Sequence, residues 1–260
     1  MTAGPVLAGI RIFPIKALDA LVLSEAQVLA GGALTADRRF AMLDPAGNFV
    51  NGKRHPGVHQ IRARFSAAAD AVVLSAPDQR EQGFSLAGAL GPVEAWLSAC
   101  LGQPIRLGRD DEGGFPDDRK ASGPTVVSTA SLEEVARWFP GLTVESVRRR
   151  FRANLEIGGV PPFWEDRLYG AAGTARPFAI GPVTLAGINP CQRCPVPPRD
   201  PDTGEILSGF QKRFSDLRRE TLPAWADGSR FDHFYRFTVN TVAPGQGGKS
   251  LRIGDPVRVD

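Results

Sequence analysis

Cys191 and Cys194 lie in the stretch Asn189 to Glu205, N-P-C-Q-R-C-P-V-P-P-R-D-P-D-T-G-E, and are two of only three cysteines in 260 residues. A chain that uses thiols so sparingly and then sets two together raises three chemistries. They are metal ligation, a redox pair, and the packing of two small side chains on a turn. A structural zinc site needs four ligands, usually two such pairs or one pair with two histidines. Only His55, His59 and His233 are present, and Pro56 and Gly57 argue against a helix that would align the first two. A thioredoxin-type pair wants its first thiol at a helix N-terminus. Here Pro195, Pro197 and Pro198 favour an extended loop. A further option is a single thiolate bound to one soft transition metal whose other ligands come from a cofactor.

That option requires an exposed thiol on a rigid loop, with positive charge nearby to favour the thiolate and to hold a cofactor phosphate. Arg193 sits between the two thiols, and basic residues recur at Lys16, Arg38, Arg39, Lys53, Arg54 and Arg148 to Arg152. The run Arg148, Arg149, Arg150 reads as a solvated helix face. Arg152 differs, because it precedes Ala153-Asn154 and a strand, where a side chain can be aimed. Spacing alone decides nothing further.

The elements that must position these groups are mostly short strands. Leu7 to Phe13, Leu21 to Val28, Arg39 to Leu43, Ile61 to Phe65 and Ala71 to Leu74 follow at close spacing, with Asp44-Pro45-Ala46-Gly47 as a turn. This is the pattern of a small barrel or sandwich. The period then changes. Gly91 to Leu101 places Val93, Trp96, Leu97 and Leu101 on one helical face, with Cys100 beside it as a buried structural thiol. The Gly-rich stretch Asp110 to Gly123 is a boundary or mobile loop. Beyond it, Ser128 or Thr129 caps a helix over Leu132 to Trp138, with Glu133 and Glu134 in its first turn. Val144 to Arg152 is a second short helix and Phe210 to Arg219 a third. Asn154 to Ile157, Phe178 to Leu185, Tyr235 to Val242 and Ser250 to Val259 are strands.

Composition bounds the function. Apolar content of 42%, charged content of 23% and a net charge of +3 describe an ordinary globular chain, with no basic surface for nucleic acid. Twenty-nine Gly and 22 Pro favour strands and turns over long helices. The N-terminus has no basic segment before its apolar residues, and no stretch approaches the ~20 apolar residues of a spanning helix. Three cysteines form no even framework, which suits a reducing compartment. The expectation is a cytoplasmic protein that engages neither membrane nor nucleic acid.

Six motifs then fall in order along the chain. They are Ile12-Phe13-Pro14-Ile15-Lys16, Asp37-Arg38-Arg39-Phe40, Ser128-Thr129-Ala130-Ser131-Leu132, Phe151-Arg152-Ala153-Asn154, the Cys191–Cys194 pair leading to Asp200-Pro201-Asp202-Thr203-Gly204, and Ile253-Gly254-Asp255-Pro256-Val257. With them the chain resembles the MOSC-domain family, named for the C-terminal domain of molybdenum cofactor sulfurases, preceded by that family's N-terminal β-barrel. The branch it is most similar to holds the amidoxime-reducing component and its bacterial relatives.

The resemblance implies a mainly β chain with a few helices (α+β) in two β-barrel-like domains. Residues 1–122 would form the N-terminal one, with a helix near 91–102, and residues 123–260 the MOSC domain with the Cys motif. It implies a molybdenum cofactor, Mo-molybdopterin, whose protein ligand and catalytic thiolate is Cys194, with Cys191 in support. Lys16, Arg39, Arg152, Ser128 and Ser131 would hold the cofactor phosphate, and Arg193 would also bind the cofactor. Asn154 and Thr203 would bond the pterin or oxo groups, and Asp202 would be a turn residue. Two departures are Ala17, where the family has Ser, and Ala153, where Pro is common.

The implied activity is reduction of small N-hydroxylated compounds such as amidoximes, hydroxylamines and N-hydroxylated bases. No cysteine follows Cys194, so electrons would come from a separate donor of the ferredoxin, cytochrome b5 or flavin-reductase type. The motifs place no His as a general acid. A carrier of molybdenum cofactor or sulfur, without turnover of its own, is the alternative.

Overall fold

Short apolar runs broken by Gly and Pro give many brief strands, and the computed structural model describes residues 4–259 in those terms. The first half holds strands β1 (Val6–Ile12), β2 (Leu21–Leu23), β3 (Glu25–Gln27), β4 (Phe40–Leu43), β5 (Arg62–Phe65), β6 (Ala71–Ala76) and β7 (Gln79–Ser85). Helix α1 (Gly91–Leu101) and strand β8 (Arg106–Arg109) complete it. The second half holds β9 (Val126–Ser128), α2 (Thr129–Trp138), α3 (Val144–Phe151), β10 (Leu155–Gly158), β11 (Arg176–Ile180) and β12 (Val183–Gln192). It ends with α4 (Phe210–Glu220), β13 (Arg236–Val242), β14 (Ser250–Arg252) and β15 (Val257–Val259). No helix among the described residues is long and apolar enough to cross a membrane.

An eight-stranded sheet runs β15-β11-β12-β13-β9-β10-β1-β2, beside a three-stranded sheet β5-β6-β7 and the pairs β4-β8 and β14-β3. The mixed α+β character with four helices and mostly sheet is what the structure has. Closure of two barrels is not: each strand order ends at open edges, joined by isolated bridges such as Ile15 to Phe40 and Val6 to Pro256 and by backbone bonds beside them, among them Leu7 to Asp255 and Val257 to Pro5. The reason lies in β1. It pairs antiparallel with β10, so the first strand of the chain completes the sheet of the second half. Accordingly Leu7, Ile10 and Ile12 belong to one core with Val126, Leu155 and Val239, whereas Phe40, Trp96 and Leu97 form a second.

Local rules account for the helices. Val93, Trp96 and Leu97 of α1 are buried on the expected face, with Leu101 and Cys100 packed at its margin. In α2 the Ser128 hydroxyl accepts the Ser131 N–H at 3.2 Å, the N-cap arrangement. The helix therefore starts at Thr129, which moves Glu133 and Glu134 beyond its first turn. Helix α3 ends at Phe151, and Arg152 caps it in the left-handed region, at φ 55° and ψ 43°.

The end of α3 is held by a third, aromatic core. Phe151 lies 5.4 Å from Phe214 and 4.6 Å from Phe237, and Phe214 is also edge-on to Trp138 at 5.3 Å. Such pairs add to area burial and fix ring orientation. Because Phe214 is fully buried, Phe214→Ala is expected to cost about 3–5 kcal/mol, read as a lowered urea midpoint with unchanged slope.

Candidate functional site

A cavity of about 830 Å³ opens where the two halves meet. Its walls come from the segment after β1, the loop before β5, the 113–125 stretch, the end of α3 and the cysteine loop. Twelve lining residues are Arg or Lys against six Asp or Glu, so the space is cationic. Lys16, Arg152, Asn154, Arg193 and Cys194 are brought together here.

Arg152 and Arg38 define one wall. Both have left-handed backbones, φ 55° and 51°, a costly conformation for a long side chain and one that gathers at functional sites. Their guanidinium carbons lie 4.0 and 5.1 Å from the centroid of the same Phe13 ring. Arg152 Nη2 donates to the Leu18 carbonyl at 2.7 Å. Arg38 is ion-paired with Asp37, whose other oxygen accepts the Phe13 N–H at 2.8 Å. Burial, with Arg38 facing it, lowers Arg152 to about 10, so it stays charged at neutral pH. Two like charges converging on a cavity favour an anion there.

Asp117 already occupies such a position. Lys16 Nζ donates to its carboxylate and to the Phe115 carbonyl, each at 2.8 Å. Burial opposes ionisation of Asp117, but Lys16, with Arg38 and Lys53 close by, holds it well below the ordinary carboxylate range. An internal anion is thus stabilised where an anionic ligand would bind.

The thiol loop follows β12. Cys191 lies within that strand and Cys194 three residues on, a free, half-buried thiol facing the cavity. Between them Arg193 is fixed: Nη2 donates to the Phe151 carbonyl at 2.7 Å and Nη1 to the Cys191 sulfur at 3.3 Å. Cys191 thus accepts from Arg193, and it lines the cavity as well.

The arginine run corrects the expectation of a solvated helix face. Arg150 is 4% exposed and donates to the Pro197 and Arg199 carbonyls and to Asp200, so it staples the cysteine loop to α3. Arg149 pairs with Asp202 at 2.8 Å, and Arg62 of β5 pairs with the same carboxylate at 2.9 Å. Arg148 pairs with Glu156 in a two-pronged contact at 2.8 and 2.9 Å. All three are bound because opposing carboxylates and carbonyls, distant in sequence, meet this face. Asp202 is consequently a bridge between the halves, while Asp200 does the turn's work by accepting the Asp202 and Thr203 N–H groups.

The remaining sequence-derived residues lie elsewhere. Arg39 points away from the cavity toward Asp111, at 3.6 Å, and its neighbour Arg38 faces inward. Ser128 and Ser131 are fully buried, and Ser131 Oγ donates to Glu165 at 2.9 Å while accepting the Phe163 N–H. Burial, then the Asp166 charge, push Glu165 up to about 7. Thr203 Oγ1 accepts the Glu205 N–H and does not line the cavity. Asn154 lines it, but its oxygen serves Thr125 and Arg38 and its nitrogen the Arg11 carbonyl, so it positions Arg38. Arg38, Arg62, Asp117 and His59 are lining residues that the motif reading did not single out as site residues. For Arg38 the motif Asp37-Arg38-Arg39-Phe40 gave the neighbourhood, but the two arginines lie on the turn before β4, and the left-handed backbone at Arg38 sets which one faces in.

Residues 5–104 match the MOSC N-terminal beta barrel domain and residues 118–258 the MOSC domain. The chain belongs to the MOSC-domain family. It is 25% identical over 240 residues to a molybdenum cofactor sulfurase of Caenorhabditis elegans, a match covering 83% of this chain and 32% of that protein. A molybdenum cofactor sulfurase of Caenorhabditis briggsae is 29% identical over 132 residues, 49% of this chain and 17% of that one. The chain thus spans a third or less of the length of these curated relatives. The crystal structure of the YUAD protein from Bacillus subtilis aligns over 97% of this chain and 93% of that one at 12% identity, with a TM-score of 0.37.

Two outcomes follow from this geometry. Arg152→Asn keeps a residue that tolerates the left-handed backbone and removes the cation. Calorimetry with pyrophosphate should then show affinity reduced about tenfold or more with the thermal midpoint little changed. Glu165 takes up protons more readily folded than unfolded, its ordinary value being 4.5. Stability should therefore fall as pH rises from about 4.5 to about 7 and level off above, and Glu165→Gln should flatten that slope in urea titrations.

Proposed function

We propose that this chain binds a molybdenum cofactor through Cys194 and reduces small N-hydroxylated compounds, amidoximes, hydroxylamines and N-hydroxylated bases among them. One observation carries the reading. A free thiol and a convergent pair of guanidiniums, Arg38 and Arg152, share one cavity. The donor set suits the group. A thiolate is a ligand for a soft metal, and among the described residues no three His, Cys, Asp or Glu side chains gather as a metal cage, so further ligands would come from the cofactor. The Asp117 carboxylate on Lys16 supports an acidic group at that end. Lys16, Arg38 and Arg152 would hold the phosphate, with Arg193 near the metal ligand.

When bound, the cofactor supplies two-electron redox chemistry that no side chain can perform. The protein's part is orientation. Arg150 fixes the loop that presents Cys194, and Arg193, backed by the Cys191 sulfur, holds positive charge beside it. The Arg149–Asp202–Arg62 bridge ties the two walls together. Electrons would enter from a separate donor protein. The likeness to sulfurases favours a second reading, in which Cys194 carries sulfur or cofactor without turnover.

Protein from a molybdate-replete host decides between them. The reductase reading expects bound molybdenum and, with a reduced viologen dye, conversion of benzamidoxime to benzamidine. Cys194→Ala should lose both. A persulfide on Cys194 with no turnover supports the carrier, and turnover equal in Cys194→Ala overturns the thiolate role.

A further inference from the structure

We propose that His59 delivers a proton to the departing oxygen when the N–O bond of the substrate breaks. The inference rests on the reductase reading. Reduction of a hydroxylamine balances as R–NH–OH + 2 e⁻ + 2 H⁺ → R–NH₂ + H₂O. The N–O bond breaks, the nitrogen is reduced, and the oxygen leaves as water. An external one-electron donor of the viologen or flavin class supplies the electrons. One proton must reach the oxygen as it leaves, and a positioned side chain accelerates such a transfer.

His59 lies on a single turn, Pro56–Gln60, and lines the same cavity as Cys194. Its ring sits in a slot made by two glycines from opposite walls. A Cβ on Gly52 would fall 2.3 Å from Nε2, and one on Gly204, of the D-P-D-T-G turn, 3.5 Å from Cδ2. Any side chain at position 52 would evict the imidazole. Nε2 lies 3.3 Å from the Gly52 carbonyl, which can only accept, so Nε2 carries a hydrogen and Nδ1 is the atom that exchanges protons.

Its charged neighbours from the packed elements are Arg62 of β5, Arg199 of the cysteine loop and Arg152 after α3, all cations. Burial, then those charges, lower the imidazole below its ordinary 6.5, although the Gly52 bond opposes them. A proton taken up from solvent at Nδ1 is therefore readily passed on. The other charged lining groups serve this purpose poorly. The arginines, Lys16 and Lys53 keep their protons at neutral pH; Asp19, Asp37, Asp117, Asp202 and Glu145 are ion-paired carboxylates, and Asp118 accepts the Lys120 N–H in its own loop.

The test compares wild type, His59→Gln and Cys194→Ala, each prepared from a molybdate-replete host, using benzamidoxime and reduced viologen across the histidine pH range. Gln retains an N–H for the Gly52 carbonyl. Expected are equal metal content for wild type and His59→Gln, a kcat loss of about a hundredfold with KM little changed, and a flattened pH profile. Wild-type kcat should fall as pH rises through the His59 titration. A second readout needs no turnover. In the metal-free protein, the imidazole carbon–proton NMR signal missing from His59→Gln should titrate below 6.5 and shift when benzamidoxime is added. Wild-type kcat and pH profile in His59→Gln, beside an inactive Cys194→Ala, would overturn the proton role and leave the reductase reading standing. A signal indifferent to benzamidoxime also overturns it. Absence of turnover in wild type removes both.

Discussion

The structure turns on a buried cation at the end of a short helix. Arg150 reaches from α3 to two carbonyls and a carboxylate of the loop after Cys194. A prolyl loop has few backbone N–H groups to hold itself in place, and Pro195, Pro197 and Pro198 leave this one dependent on an outside donor. Five fixed N–H groups in one plane supply it, where a lysine would offer a single mobile charge. The thiol then has a defined direction.

That anchor works because α3 is itself immobilised. The aromatic core of Phe151, Phe210, Phe214 and Phe237 fixes the last turn of the helix, and the next residue, Arg152, leaves it in a left-handed conformation. Packing thus offsets a backbone cost that a free peptide would avoid. The Phe13 ring that meets Arg152 also meets Arg38, so aromatic surface borders both charges. Hydrophobic packing and cavity electrostatics share the same residues.

Much of this was legible from residues alone. Alternation and punctuation by Gly and Pro placed most strands, and the Ser128 cap and the α1 face follow from local rules. The thiol pair and Arg152 stood out by type and position. What could not be read was pairing at a distance. Arg148 to Arg150 form a plain charge run until Glu156, Asp202 and Pro197 are folded against them. Ser128 and Ser131 carry free hydroxyls in sequence, yet Glu165, more than thirty residues on, turns Ser131 inward. The choice between Arg38 and Arg39 was set by a left-handed turn before β4, which a motif does not encode. Barrel closure likewise depends on which strands meet, and β1 meets β10.

That last pairing bears on how the molecule comes to exist. The opening strand of the chain has its partner some 145 positions later, at Ile10 opposite Leu155. Until the ribosome has released that partner, β1 has only β2 beside it and its other edge is bare, and contacts of such long range form slowly. The large sheet therefore cannot be completed before the second half of the chain has been made.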